Sequence, residues 1–552
     1  MELKQVHQNF CIADQITPQD ITTIAQQGIK TIICNRPDDE EANQPKMLEM
    51  YETAFRQNGI QLHYLPIING HITEDHIFEF QQLYLKSPKP VLAYCRSGMR
   101  SMSLWVLSSV AEQTVDERLR IAKSLGYDLY GLIPRILETS PTQRHKTPTF
   151  SVVIVGAGAA GIAVAASLRS RQHNLDIVLI DPAENHYYQP GWTMVGGGVF
   201  HAEQTKRNMQ SLIPEKVTWM KASVTAFDPD YHRIQIDGHR SIQYKVLVVC
   251  TGLKLNWQGI DGLAETLGKN GVTSNYRYDL APYTWKLVQN LKSGKALFTQ
   301  PPIPIKCAGA PQKAMYLSAN YWQKQGVLNN IDIEFYNSGA VLFGVEAYVP
   351  ALMKYIKKYD VALNFNHQLI RIDGEQKRAW FKVSHGEKTA EFETDFDMIH
   401  VVPPQQAPDF VRASYLVDET GWVSVNQHTL QHTQYPDIFA LGDVINAPNA
   451  KTVAAARKQA PIVAHNILQY LNGSNHFAQY DGYGSCPLTV EHGKIILAEF
   501  GYGGKLLPSF PKWFLNGQEP TKMAWLLKTR ILPALYWDGM LKGREWFAKP
   551  KL

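Results

Sequence analysis

Three of the six cysteines have neighbours that could do chemistry. Cys95 lies in Val91-Leu-Ala-Tyr-Cys-Arg-Ser-Gly-Met-Arg-Ser, which reads as a strand ending at Tyr94, a loop, and a helix starting at Arg100-Ser101. Loop N–H groups at a helix N-terminus form an anion nest. With Arg100, such a nest would favour a Cys95 thiolate and bind an oxyanion or a persulfide. Ser101 would hydrogen-bond the sulfur. Cys307 lies in Pro304-Ile-Lys-Cys-Ala-Gly-Ala-Pro-Gln-Lys, just before a helix expected over Lys313–Gln323. A thiol near a helix N-terminus, with Lys306 adjacent, has a lowered pKa. Cys486 lies in Tyr483-Gly-Ser-Cys-Pro-Leu, a pattern that predicts a turn opening its side chain to a cavity. Cys11, Cys34 and Cys250 read as buried thiols. Six cysteines in 552 residues are no disulfide scaffold, and no metal site is expected. Spacing alone does not place Cys307 beside Cys486.

The elements that must carry these groups begin with a glycine turn. Ser151-Val-Val-Ile-Val-Gly-Ala-Gly-Ala-Ala-Gly reads as strand, turn and helix, with Gly156, Ala157, Gly158 and Gly161 in G-x-G-x-x-G. Gly156 permits the tight turn, Gly158 the approach of a pyrophosphate, and Gly161 the packing of helix on strand. Twenty residues later a strand, Ile177–Ile180, ends at Asp181, where an acid should hold a ribose. Val246–Val249 then leads into Cys250-Thr251-Gly252, and Ile438-Phe-Ala-Leu ends in Gly442-Asp443. In this order the segments resemble flavoproteins with two dinucleotide-binding domains, which implies FAD rather than NAD. A second glycine fingerprint is absent. The strand Ala296–Thr299 runs into Gln300-Pro-Pro-Ile-Pro, and proline has no N–H to offer a phosphate. That argues against a nicotinamide in the usual pocket.

The net charge of +5 is too small to suggest nucleic acid. It is concentrated in 505–552, which holds nine Lys/Arg and three acids. Four of the twelve tryptophans stand there as well (Trp513, Trp525, Trp537, Trp546). Aromatic and leucine residues mixed with Lys/Arg are the composition of amphipathic helices lying in a membrane interface. No apolar run approaches the length of a spanning helix. The N-terminus has no secretory h-region.

Several motifs carry a closer resemblance. Asn185-His-Tyr-Tyr-Gln-Pro-Gly, Pro304-Ile-Lys-Cys-Ala-Gly-Ala-Pro-Gln-Lys, Gly442-Asp443 with Lys451-Thr452, and Ser485-Cys-Pro-Leu resemble sulfide:quinone oxidoreductases of the mitochondrial type, over about 150–545. The resemblance implies that Cys307 and Cys486 form the redox pair on one face of FAD. It also implies that Asp181, Gln189, Val224, Asp443 and the backbone after Lys451 contact the cofactor. Hydrosulfide would open the Cys307/Cys486 bridge and leave a persulfide on Cys486, with electrons passing through FAD to a membrane quinone. A small thiol or sulfite would accept the sulfur. Val444 departs from the animal enzymes, where a non-redox cysteine often stands. The Cys95 loop resembles both cysteine phosphatases and rhodaneses. It has four residues between Cys95 and Arg100 where phosphatases have five, so its smaller pocket suits a sulfur atom. The front of the chain resembles the phosphatase-like domain of beta-lactamase-hydrolase-like proteins. Asp38, Asp39 and Asp75 are candidates for the general acid of a phosphatase.

The expected architecture is α/β. A small cysteine-phosphatase-like domain (1–140) and a linker (141–149) precede a flavoprotein with two Rossmann-like domains (150–504). A C-terminal amphipathic segment (505–552) would meet the membrane and the quinone. The expected place is cytoplasmic, peripheral on the inner membrane, and a homo-oligomer stays open. Two alternatives remain at this level: an NAD(P)H-dependent flavin reductase fused to a phosphatase, and a sulfide or persulfide sensor.

Overall fold

The strands Thr31–Cys34 and Val91–Tyr94 are buried at every residue, as strands covered on both faces must be. The computed structural model describes residues 3–42, 44–51, 53–54, 58–108, 113–132, 148–237, 240–386 and 388–550. The polar stretch 141–147, the body of the expected linker, lies outside them. The chain divides into two compact units, Met1–Thr149 with Val224–Gln243, and Phe150–Ser223 with Tyr244–Leu552.

In the first unit a five-stranded sheet runs in the order Lys4–His7, Phe10–Ala13, Val91–Tyr94, Thr31–Cys34, Gln61–Tyr64. Only the outer pair Lys4–His7 and Phe10–Ala13 is antiparallel. Alternate residues of the central strand face opposite sides. Val91 and Ala93 join Phe10, Phe80, Leu104 and Trp105 in one cluster, and Leu92 and Tyr94 join Ile21, Ile24 and Met50 in another. The strand Val91–Tyr94 therefore delivers Cys95 to the carboxyl end of the central strand of a sheet fixed on both faces. Gly98 turns the chain into helix Met99–Leu107 with φ +78°, and a Cβ there would stand 2.2 Å from the Tyr127 hydroxyl.

The second unit contains two parallel sheets of nucleotide-binding type. The first places Thr218–Met220, Ile177–Ile180, Thr149–Val155 and Arg240–Val249 in that order, with Ile438–Ala440 beside the last. The second runs Val272–Thr273, Met398–His400, Gly294–Gln300, Ile331–Asn337, Ala362–Phe365. The chain leaves strand Gly294–Gln300 through prolines, as the sequence predicts. Helix Ala159–Arg171 packs against helix Val453–Leu471, and the hairpin Gly484–Glu491/Lys494–Phe500 packs on helix Ala310–Lys324.

The C-terminal segment is helical from Lys522 to Lys542, with wider π turns at Leu527–Ile531 and Leu535–Gly539. Among the described residues no helix is long and apolar enough to cross a membrane. The fold is thus α/β, with a small cysteine-loop domain ahead of two Rossmann-like sheets and an amphipathic C-terminal run.

Candidate active site

Two glycines of the fingerprint are required by the protein itself. Gly156 has φ +101°, and a Cβ on it would stand 2.6 Å from the Cys250 carbonyl. A Cβ on Gly161 would stand 1.9 Å from the Gly156 carbonyl. Gly158 differs, because nothing lies within 4 Å of a Cβ built there. The space beside it, at the N-terminus of helix Ala159–Arg171, suits a pyrophosphate. Nearby, the buried Thr251 hydroxyl has no protein partner, and Gly252 turns with φ +66°. Asp181 accepts hydrogen bonds from the backbone N–H of Ala157 (2.7 Å) and Ala183 (2.8 Å). A carboxylate has about four acceptor sites, so it keeps capacity for a ribose. Gly442 (φ +81°) donates its N–H to Gln459 Oε1 at 2.9 Å and sets up the turn that carries Asp443. Burial raises the pKa of Asp443 against the opposing charges of Lys451 and Lys306. Burial also lowers Lys451 to about 8, and its ammonium donates to the carbonyls of Asp443 (2.8 Å) and Ile445 (2.7 Å). Thr452 caps helix Val453–Leu471, whose first turn faces the same cavity. These residues fit FAD. Val224 opens the strand Val224–Asp228 and pairs with Ile236 in the first unit.

The two cysteines meet across 179 positions of sequence, with Cys307 Sγ 3.7 Å from Cys486 Sγ. Both are unbridged, with sulfurs in non-bonded contact rather than at the roughly 2 Å of a disulfide bond. Cys307 has φ +49° and ends a loop whose N–H bonds to the Lys451 carbonyl at 2.9 Å. Cys486 does not lie in a turn. It sits within the strand Gly484–Glu491, opposite Ala498, and is 2% exposed. The flanking Gly-Ser and Pro suggested a turn, yet an unpaired edge of a two-stranded hairpin tolerates Pro487. Room for the Cys486 sulfur comes from Gly309, where a Cβ would stand 2.6 Å from it.

The cation nearest the pair is Lys313, not Lys306. Lys313 is buried on helix Ala310–Lys324, and its ammonium lies 3.1 Å from Cys307 Sγ. Lys306 turns away and donates to Gln189 Oε1 at 2.6 Å. A hydrogen bond from the Cys486 thiol, then the Lys313 charge, hold Cys307 well below the ordinary thiol range despite its burial. That same contact and burial push Cys486 up. Cys307 is therefore the thiolate and Cys486 the thiol. A cavity of about 530 Å³ reaches Cys307 and Lys313 and continues between Asp443, Thr452 and the C-terminal run.

In the first unit, Cys95 is buried at the end of its strand. Arg100 donates to the Ile67 carbonyl (2.6 Å) and to Glu40 (2.9 Å). Arg36 binds Glu40 and Glu41 at 2.8 and 2.7 Å. Ser101 does not hydrogen-bond the sulfur; its hydroxyl donates to Asn35 Oδ1 at 2.8 Å. Of the candidate acids, Asp75 is paired with Arg233 at 2.5 Å, Asp39 with Lys46 at 3.3 Å, and Asp38 accepts from the Met47 N–H.

Comparison with known proteins follows the same division. A family model for the phosphatase-like domain of beta-lactamase hydrolase-like protein matches residues 2–112, and one for pyridine nucleotide-disulphide oxidoreductases matches 150–297. The mitochondrial sulfide:quinone oxidoreductase of Dictyostelium discoideum is 43% identical over 404 residues, 73% of this chain and 88% of that protein. The chain belongs to the sulfide:quinone oxidoreductase family. As a member it is an FAD-dependent oxidoreductase. The solved sulfide:quinone oxidoreductase of Aquifex aeolicus shares the fold, with a TM-score of 0.60 at 21% identity over 72% of this chain and 92% of that one. The front of the chain is 31% identical over 131 residues to the beta-lactamase hydrolase-like protein of Xylella fastidiosa, 23% of this chain and 30% of that protein.

Within this sulfide:quinone oxidoreductase framework, several residues escape sequence reasoning. Lys313 closes the 304–313 motif, six positions after Cys307, but its spacing gives it no role beside the sulfur. Lys528 comes from the C-terminal run, is 4% exposed, and donates to the Pro190 carbonyl at 3.1 Å. Burial, then the charge of Lys313, lower it to about 8. Tyr536 of the same run meets His186 Nε2 at 2.5 Å, and His186 Nδ1 lies 3.1 Å from the Ala157 carbonyl of the glycine turn. Glu545 binds Arg171 (2.9 Å) and Ser167 (2.6 Å) on the fingerprint helix. The C-terminal run is therefore strapped onto the flavoprotein by its inner face. Its outer side exposes Met523, Leu526 and Ile531, and flanking residues Trp513 (86% exposed) and Phe547 (85%) also face solvent.

Proposed function

We propose that the chain oxidises hydrosulfide on the Cys307/Cys486 pair and passes the electrons through FAD to a membrane quinone. The observation that carries this reading is the 3.7 Å approach of the two sulfurs with the Lys313 ammonium 3.1 Å from Cys307. In the oxidised pair, hydrosulfide attacks Cys486. One S–S bond forms, the Cys307–Cys486 bond breaks, and Cys307 leaves as a thiolate beside Lys313. A leaving thiol of low pKa speeds such exchange. Cys486 then carries a persulfide. An acceptor thiolate or sulfite takes its outer sulfur, and Cys486 takes up the proton, which restores the Cys307 thiolate and the Cys486 thiol. Re-forming the bridge releases two electrons. Bound FAD would supply the two-electron carrier between that pair and quinone. Lys306 and Gln189 hold the wall of the cavity, and Asp443 and Lys451 hold the turn against which the cofactor rests.

The exposed apolar residues of the C-terminal segment, together with its lysines and arginines, support docking on an anionic bilayer, where a quinone is dissolved. In the first unit, the Cys95 loop with Arg100 supports sulfur transfer. Two of the three candidate acids of a phosphatase, Asp75 and Asp39, are engaged in ion pairs.

Stopped-flow absorbance of the oxidised holoenzyme tests the main reading. Sulfide should bleach the flavin band, and a short-chain quinone should restore it. Cys307→Ser and Cys486→Ser should keep flavin and lose bleaching. Bleaching by NADH and not by sulfide would identify a nicotinamide-linked reductase instead. Slow bleaching without quinone dependence would indicate a sensor.

A further inference from the structure

The glycine turn is held from the far end of the chain. Tyr536 and His186 are each 3% exposed. The Tyr536 hydroxyl lies 2.5 Å from His186 Nε2, and His186 Nδ1 lies 3.1 Å from the Ala157 carbonyl. Burial lowers the pKa of His186 to about 4, so the ring is neutral and carries a single N–H. A carbonyl can only accept, which puts that proton on Nδ1. Nε2 then accepts from the Tyr536 hydroxyl. The bonds run in one direction, from tyrosine to imidazole to peptide. Ala157 is fixed on its other side too, because its N–H donates to Asp181 at 2.7 Å.

The carbonyl held by His186 belongs to the peptide that joins Ala157 to Gly158. In a trans peptide the carbonyl and the N–H point to opposite sides, so a fixed Ala157 carbonyl fixes the direction of the Gly158 N–H. Among the described residues nothing accepts from that N–H, and no atom lies within 4 Å of a Cβ built on Gly158. A free donor beside open space at a helix N-terminus is the part of the turn that suits a pyrophosphate. Tyr536 arrives there on a segment that is anchored elsewhere, at the other end of the same helix. Glu545 binds Arg171 at 2.9 Å, and a Cβ on Gly543 would stand 2.6 Å from the Ala166 carbonyl. Tyr536 also lines the cavity that Asp443, Lys451 and Thr452 line.

We propose that Tyr536 is a positioning residue for FAD, acting through His186 to hold the Ala157–Gly158 peptide in the orientation that binds the cofactor. The C-terminal run thereby takes part in retaining FAD, besides covering the cavity. The test is the rate of FAD release from the holoenzyme, read as the fluorescence of freed flavin after dilution. Wild type, Tyr536→Phe, His186→Leu and the double variant are compared. Tyr536→Phe keeps the ring and removes only the hydroxyl. Its release should be about tenfold faster, for one buried hydrogen bond lost and one ring nitrogen left unpaired. The double variant should release FAD no faster than His186→Leu, because the two residues act along one chain. Hydrogen exchange over 522–548 in the Tyr536→Phe holoenzyme should stay at the wild-type rate, since the other anchors of the run are intact. Wild-type release from Tyr536→Phe would overturn the proposal, and that variant decides it even where His186→Leu does not fold. Effects that add in the double variant would overturn it as well. So would faster release accompanied by faster exchange over 522–548, since the run would then be only a cover that has come loose.

Discussion

Lys313→Met removes the ammonium 3.1 Å from Cys307 and keeps the buried apolar stem. A hydrogen bond to a charged group contributes about 1.5–3 kcal/mol, and 1.36 kcal/mol corresponds to one pH unit. The Cys307 thiolate loses that support, so its titration should move up by about 1–2 pH units. Below the new inflection, the thiolate population and its alkylation rate fall by roughly ten- to a hundredfold. The assay is the rate of iodoacetamide labelling of the Cys307 peptide, read by mass spectrometry on reduced holoenzyme from about pH 5 to 9. Lys306→Met is the matched comparison. Its ammonium binds Gln189 rather than the sulfur, so the inflection should move much less. Equal inflections in wild type and Lys313→Met would refute the assignment, leaving the thiolate to the Cys486 hydrogen bond and the Lys528 charge. A shift in Lys306→Met as large as that in Lys313→Met would return the role to the neighbouring lysine.

Three further outcomes follow from the same geometry. Gly158→Ala meets no protein atom, whereas Gly161→Ala meets the Gly156 carbonyl at 1.9 Å; the first should lose flavin with an unchanged melting curve of the apoprotein, the second should lower the melting temperature as well, and flavin content with apoprotein calorimetry separates them. Glu40→Gln removes the carboxylate 2.9 Å from Arg100; inorganic sulfate should then protect Cys95 from alkylation at concentrations several-fold lower, about 1 kcal/mol of relieved competition for a partly exposed pair, and unchanged protection would detach Arg100 from anion binding. Replacing the exposed Trp513 and Phe547 by Ser should weaken co-sedimentation with anionic vesicles while leaving reduction of a water-soluble quinone intact; vesicle binding equal to wild type would remove the membrane role from this surface.

What could be read from the sequence was what lies close together along it. The glycine fingerprint and Asp181 fall within one strand–turn–helix–strand unit, so their spacing already carried their geometry. The Cys95 loop was legible for the same reason, since strand, loop and helix are consecutive. The partner of Ser101 was not, because Asn35 arrives on a different strand, beside Val91–Tyr94. Cys307 and Cys486 come together only through packing of the hairpin Gly484–Glu491/Lys494–Phe500 on helix Ala310–Lys324. Residue resemblance could imply that pairing, but periodicity could not. Lys306 drew the electrostatic role because it is adjacent in sequence. The left-handed turn at Cys307 (φ +49°) sends its side chain away from that of Lys306, which reaches Gln189, while the helix that starts at Ala310 returns Lys313 to the sulfur.

The C-terminal segment shows why composition gives a role without an orientation. Its aromatic and basic residues suggested one lipid-facing surface. In the fold, Lys528 and Tyr536 point inward, and the first lies close enough to the pair for its charge to favour the Cys307 thiolate. A buried lysine is costly in water-poor surroundings, and its pKa of about 8 records that cost. Sequence that only had to bind lipid would gain nothing by burying a cation there. The inner face carries Lys528 and Tyr536 toward the cavity, and the outer face exposes Met523, Leu526 and Ile531.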